Sequence, residues 1–305
     1  MDKYDVIVRV PASTANLGSG FDCIGMALQL YTTIKMRKAS ITSIHIRVNN
    51  LGGIPVDREN LIYKVANLLF ERAGLPSPNL EIEIESDIPL TRGLGSSAAA
   101  IIGGLVAGNT LAGEPFNNEE IYQLATELEG HPDNVDAFLL GGIVIATFVQ
   151  SQVSYIRILP PSGIKIVVAV PNFEILTKVA RDVLPSFYSR EDTIHAISQS
   201  ALLAGALVSG NTSVLYKAMR DRIHQPYRMS LVPGLDELLT HSINYGASGI
   251  ALSGAGPSII ALTDQDGEQL MKYIKDVLLK HGVSTSVTMI DPDIVGVTIQ
   301  SFMNG

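Results

Sequence analysis

The 305-residue sequence reads as a mixed α and β chain in two halves. Two patterns predict the mixture. Residues 80–85 alternate Leu80, Ile82 and Ile84 with Glu81, Glu83 and Glu85, the period of a half-buried strand. Residues 60–73 carry Leu61, Ile62, Val65, Leu68 and Leu69 at helical spacing, and Gly74 stops the run. A third observation divides the chain: Pro160-Pro161-Ser162-Gly163 interrupts two apolar runs and is the best linker. The length suffices for two domains with sizeable cores. The expected halves are 1–159 and 160–305.

The elements follow in order. Residues 6–10 read as an edge-starting strand ended by Pro11, and 11–22 as a Gly/Ser-rich loop holding Asn16 and Asp22. Strands are expected at 32–36 and 44–48, with Met26, Leu28 and Leu30 in the core. After the strand at 80–85 comes a glycine and serine loop, 89–100, and an apolar helix, 98–111. A helix at 118–129 runs into the polar corner Glu129-Gly-His-Pro-Asp-Asn-Val-Asp136, where Gly130 and Pro132 break it. A strand is expected at 143–149. The second half restarts with strand 164–170, followed by 177–182 with Lys178 and Arg181. Helices are expected at 191–207 and 211–222. A third glycine-rich stretch, 246–258, leads to strand 259–262, helix 265–281 and a closing strand at 295–299. No internal repeat is visible.

Composition bounds the function. With 46% hydrophobic and 17% charged residues the chain is globular rather than disordered. A net charge of −8 argues against non-specific binding to nucleic acid or anionic membrane. Any polyanion site must then gather its positive charge locally. The single cysteine, Cys23, excludes an internal disulfide and fits a reducing compartment. No signal peptide is visible, and the longest apolar run, near 98–108, is too short to span a bilayer. The expected place is the cytoplasm.

The stretch Pro89-Leu-Thr-Arg-Gly-Leu-Gly-Ser-Ser-Ala-Ala-Ala100 is the centre of the chain. Gly93 and Gly95 permit a tight turn and close approach. The helix behind them presents free N–H groups and the positive end of its dipole, a place for phosphate. Ser96 and Ser97 can cap the helix, bind a phosphate oxygen or reach Mg²⁺. Three readings of this piece stand side by side: a Ser-capped core helix, a loose dinucleotide fingerprint, and a nucleoside-triphosphate loop without the Walker lysine. The six histidines show no metal-ligand spacing, and Gly246-Ala-Ser-Gly-Ile250 lacks the last glycine of a serine-hydrolase elbow.

Four motifs in order resemble the GHMP kinase superfamily in the form its homoserine-kinase branch carries. They are Pro11-Ala-Ser-Thr-Ala-Asn-Leu-Gly-Ser-Gly-Phe-Asp22, the loop at 89–99, Glu129-Gly-His-Pro-Asp-Asn-Val135, and Leu252-Ser-Gly-Ala-Gly-Pro-Ser258. The resemblance implies an α+β fold of two domains, ribosomal-S5-like in the N-terminal ATP-binding half and ferredoxin-like in the C-terminal half. It implies ATP and L-homoserine as substrates, Mg²⁺ as cofactor, and a homodimer. ATP is expected at Pro89, Leu90, Thr91, Arg92, Gly93, Leu94, Gly95, Ser96, Ser97, Ala98 and Ala99. Mg²⁺ is expected at Ser97 (Ser96 being the other choice) and Glu129. Asn16, Asp22, His131, Asn134, Thr177, Arg181, Arg228 and Gly254 match the homoserine pocket. Asp22 suits the substrate ammonium, and the arginines suit its carboxylate. Glu129, Asn134 and Arg181 are the expected catalytic set. Many relatives have a small residue where this chain has Asp136, which is read as a structural residue at a helix start, the alternative being a carboxylate that reaches the pocket as a general base.

Overall fold

The protein was studied as a computed structural model. It describes residues 4–48, 54–130, 132–150 and 152–302, with the backbone alone at 48, 132–134 and 136. The first half runs β1 (Val6–Ala15), β2 (Ile24–Ala39), β3 (Ser43–Val48), α1 (Leu61–Arg72), β4 (Asn79–Ser86), α2 (Ser96–Leu111), α3 (Asn118–Glu129), α4 (Pro132–Leu140), β5 (Ile143–Val149) and β6 (Gln152–Ile158). The second runs β7 (Lys165–Pro171), α5 (Thr177–Asp182), α6 (Arg190–Ser209), α7 (Leu215–Ala218), α8 (Gln225–Arg228) and α9 (Leu235–His241). It ends with β8 (Gly249–Leu252), β9 (Ile259–Thr263), α10 (Glu268–Lys280), β10 (Thr285–Ile290) and β11 (Thr298–Ser301).

Among the described residues, seven strands form one sheet, in the order β11-β1-β2-β4-β3, with β5 on β2 and β6 on β5. Among the described strands, only β3 and β4 pair in parallel. Four antiparallel strands, β10-β7-β9-β8, form the other sheet. This is the α+β architecture expected. The helices cover the sheets because the strands alternate. Val6, Val8 and Val10 are buried, as are Leu80, Ile82 and Ile84, while Lys35 and Glu83 pair on the outer face. Helix α2 is buried nearly all round, as its uniformly apolar sequence requires. Its Gly104 and Gly108 let α1 approach closely: added methyls would stand 2.9 Å from the Ile62 oxygen and 3.1 Å from the Ala66 Cα. Among the described residues, no helix is long and apolar enough to cross a membrane.

Several expectations shift. Strand β1 does not end at Pro11; it continues to Ala15 through a register shift between Pro11 and Ala12. A bulge tolerates a proline that a regular ladder would not. Nor is β1 an edge, since β11 pairs with its far side. Strand β2 begins at Ile24, well before the expected 32, and buries Met26 and Leu28. The expected helix 211–222 is α-helical only over α7. That helix stops at Ala218, and the carboxylate of Asp221 accepts from the backbone N–H groups of Ile223, His224 and Gln225, capping the approach to α8. The backbone at the polar corner forms α4, and β6 and β10 lacked a clear signal in the sequence.

The expected division at 159/160 falls in the connection between β6 and β7, and β11 crosses back to the first sheet. The buried Asp293 holds this return. It accepts from the Tyr31 hydroxyl (2.8 Å) and the N–H groups of Val295 (2.9 Å) and Gly296 (2.7 Å). Burial, and then the bond to Asp293, push the Tyr31 phenol up to about 12. Asp293→Ala would strand these donors, so we expect a loss of about 2–3 kcal/mol in urea unfolding. A change within about 0.5 kcal/mol, the range of an ordinary surface substitution, would count against this role.

Candidate active site

The loop between β4 and α2 is held by its glycines. Gly93 (φ 76°) and Gly95 (φ 74°) both lie in the left-handed region. Space also requires Gly93: an added methyl would stand 2.2 Å from the Ser253 carbonyl oxygen and 2.9 Å from the Gly256 nitrogen. The Ser253 hydroxyl donates to the Gly93 carbonyl (2.7 Å) and lies 2.9 Å from Thr14 Oγ1. The Ser258 N–H donates to the Arg92 carbonyl (3.2 Å), the Gly254 N–H to Ala15 (3.1 Å), and the Ser13 N–H to Leu94 (3.3 Å). Three small-residue stretches, distant in sequence, thus meet at one point. Helix α2 starts there with Gly95 as its cap and no side-chain cap bond, so neither serine caps it. The first-turn N–H groups are left for a ligand.

Two cavities share this helix start. One, of about 120 Å³, is lined by Asn16, Phe21, Asp22, Thr91, Gly93, Gly95, Ser96, Ser97, Glu129, Thr177, Arg181, Arg228 and Gly254, among others. The other, of about 770 Å³, has an apolar part made by Ile54, Leu61, Ile62, Ile84, Ile88, Pro89 and Leu90 and a polar part that includes Asn60, Arg92, Glu59, Asp87 and Glu174. Thr91, Ser96 and Ser97 line both. The small cavity gathers Asn16, Asp22, Glu129, Thr177, Arg181, Arg228 and Gly254, all expected from the sequence. His131 and the side chains of Asn134 and Asp136 lie outside the described residues. Leu94, Ala98 and Ala99 are buried in the core and line neither cavity, so only their backbone can serve a ligand. Lys178 is exposed and lines neither.

The charges in the small cavity are paired. Arg181 donates to Asp22 through both terminal nitrogens (3.1 and 3.0 Å). Their side chains are 39% and 36% exposed, so the pair contributes little stability and can be exchanged. Asn16 fixes Asp22 from below, its Oδ1 accepting the Asp22 N–H (3.0 Å) while its Nδ2 donates to Gly254 (3.0 Å). Arg228 is buried, and burial, then the neighbouring Arg181, lower it to about 10. It remains charged at neutral pH. Both guanidinium groups stand over Phe21, at 5.9 and 5.4 Å from its centroid. Sequence reasoning missed Phe21 and His224, which stack on each other at 4.9 Å. The one available signal was the spacing His224 to Arg228, one helical turn.

Among the described residues no three His, Cys, Asp or Glu side chains come together as a metal cage. Glu129 and Ser97 line the same small cavity and offer hard oxygen donors. That donor set suits Mg²⁺, which takes few protein ligands and keeps phosphate and water in its other positions.

Comparison with known proteins agrees with this geometry. The family model for the GHMP kinases N terminal domain matches residues 60–142, and that for the GHMP kinases C terminal domain matches 203–282. The chain is 45% identical over 295 residues to homoserine kinase of Deinococcus radiodurans, covering 96% of each chain. The chain belongs to the homoserine kinase family. It is also 41% identical to homoserine kinase of Desulfitobacterium hafniense, covering 96% of this chain and 99% of that one. The crystal structure of homoserine kinase from Cytophaga hutchinsonii superposes with a TM-score of 0.87 at 27% identity, over 98% of this chain and 99% of that one.

Within this homoserine kinase family architecture, space and backbone both require glycine at position 93. Gly93→Ala would meet the left-handed penalty of about 1–2 kcal/mol and a backbone clash together. We expect kcat/KM to fall about a hundredfold as the loop is displaced. Near-normal kinetics would mean that the loop relaxes without loss.

Proposed function

We propose that this chain transfers the γ-phosphoryl group of ATP to the side-chain hydroxyl of L-homoserine, giving O-phospho-L-homoserine on the path to threonine. The observation that carries the reading is the pair of cavities joined at an uncapped, glycine-bounded helix start. The apolar part of the large cavity suits a nucleobase, the shared helix start suits the triphosphate, and the small cavity suits an amino acid. The 89–99 loop would hold ATP through its backbone and through Thr91, Arg92, Ser96 and Ser97. The division into 1–159 and 160–305, with β11 returned to the first, is proposed for the ATP-binding and C-terminal domains. The site is proposed to work in the cytoplasm, in a homodimer.

The small cavity matches a zwitterion. Asp22 would take the ammonium, and Arg181 and Arg228 the carboxylate, with Asn16, His131, Asn134, Thr177 and Gly254 completing the pocket. Binding would exchange the Asp22–Arg181 pair for two pairs to the ligand. The hydroxyl would then face the helix start, where Glu129 and Ser97 would hold Mg²⁺. Held there, Mg²⁺ would supply positive charge against the transferring phosphoryl group. Asn134 is an amide and cannot take a proton at neutral pH. The loose transition state of phosphoryl transfer tolerates this, since positioning and charge stabilisation carry the catalysis. The helical backbone from Pro132 onward supports a structural role for Asp136.

Three measurements test this. ADP release should be seen with homoserine and not with mevalonate or galactose; the reverse would sink the assignment. Glu129→Gln should lower kcat by about a hundredfold or more with the fold intact, and activity within a few-fold of wild type would remove Glu129 from the metal site. Arg181→Ala or Arg228→Ala should weaken homoserine by about 2–5 kcal/mol and ATP little. Equal loss of both substrates would point instead to misfolding or a phosphate role.

A further inference from the structure

His224 is fully buried at the start of α8, one turn before Arg228. Its ring is fixed on three sides. Nε2 lies 2.8 Å from the Gly18 carbonyl oxygen. That oxygen can only accept, so Nε2 carries the proton. Nδ1 is then an acceptor, and Arg228 Nη1 donates to it at 3.2 Å. Phe21 stacks on the ring at an interplanar angle of 18°. Gly18 and Phe21 both belong to the loop that carries Asn16 and Asp22. The imidazole therefore ties that loop to Arg228.

The remaining bonds of Arg228 define its orientation. Nε donates to the Ala180 carbonyl (3.0 Å) and Nη1 also donates to Gly254 (2.9 Å). With both Nη1 hydrogens and the Nε hydrogen committed, Nη2 is the guanidinium nitrogen left for a ligand. We infer that His224 is a positioning residue for substrate specificity: its neutral imidazole, braced by Gly18 and Phe21, orients Arg228 to take the carboxylate of the amino-acid substrate. This rests on the homoserine reading given above.

The groups facing His224 are Asp221, whose Oδ2 is 3.5 Å from Nε2, Arg228 on α8 and, farther off, Asp22 of the loop, with Arg181 of α5 beyond Arg228. Burial first, and the Arg228 charge with it, lower the imidazole below its usual value, while Asp221 opposes them. A proton on Nδ1 would set N–H against N–H and charge against charge. Because the folded value is depressed, the neutral ring and its bond are present above that value and lost as pH falls through it. The homoserine KM should therefore rise on the acid side, with the ATP KM little changed.

The test separates the two ring nitrogens. His224→Asn keeps an acceptor near the Nδ1 position, and His224→Gln keeps a donor near the Nε2 position. We expect His224→Gln to raise the homoserine KM about tenfold or more, and His224→Asn to stay within about threefold of wild type. The ATP KM should stay within about twofold in both, and the acid rise should weaken in His224→Asn. Equal effects of the two variants, or both substrates weakened together with a lowered Tm, would overturn the inference. The ring is also read without turnover, by ¹⁵N NMR of labelled wild-type protein near pH 7. Protonated Nε2 with bare Nδ1 supports the bracing, and a protonated Nδ1 overturns it even if homoserine is phosphorylated. If wild type does not phosphorylate homoserine, the functional reading fails and the carboxylate role with it, while the tautomer still decides whether His224 braces Arg228.

Discussion

The structure depends on the contact between Gly93 and the 253–256 turn. At 2.2 Å from where a methyl would stand, the Ser253 carbonyl leaves room for nothing but hydrogen. This contact joins an element of the first half to one of the second, and the first-half strand β1 reaches the same point through Ala15 and Thr14. The cleft that results has walls from both halves and a helix start at its base. Were the joint loose, the anion-binding amides and the paired charges would move independently. Phosphoryl transfer needs them in fixed register, because positioning accounts for so much of its rate.

The charge economy of the site follows from its burial. The chain carries a net charge of −8, yet its small cavity places two guanidinium groups over one phenyl ring. Arg228 bears the cost of burial through three backbone and imidazole acceptors and a depressed but still alkaline value of about 10. Arg181 is half-exposed and answers to Asp22 instead. One arginine is therefore fixed and the other exchangeable. A carboxylate entering the cleft meets a fixed partner and an exchangeable one.

Much of this was legible in the sequence, for identifiable reasons. The glycine and serine motifs mark positive φ, close approach and helix starts, which few residue types allow, so the three loops could be named before they met. Asn16, Asp22, Thr177, Arg181, Arg228 and Gly254 do line one cavity. The helices with one apolar face, α1 and α3, fell within a residue or two of expectation. What the sequence hid was tertiary. Pro11 masked the continuation of β1, because a bulge reads like a terminus. The helix that periodicity alone would extend stops at Ala218, and Asp221 caps three N–H groups in a row on the way into α8. His224 had no signal beyond its one-turn spacing to Arg228, since its importance lies in contacts with Gly18 and Phe21, some two hundred residues away.

The Asp22–Arg181 pair also bears on selectivity. On the proposed reading, Asp22 and Arg181 already stand in contact within the cleft, beside Arg228. A zwitterion replaces that pair with its ammonium on Asp22 and its carboxylate shared by the two arginines. A hydroxy acid such as mevalonate could take the arginines but would leave Asp22 without its cation inside the cleft. Removing one member of a desolvated pair is costly, chiefly through the charge left behind. An amine without a carboxylate would leave Arg181 and Arg228 facing each other unneutralised. Discrimination thus arises from the penalty on wrong ligands as much as from attraction to the right one. The half-exposure of the pair sets the balance: buried deeper it would resist exchange, and fully exposed it would be screened and discriminate little.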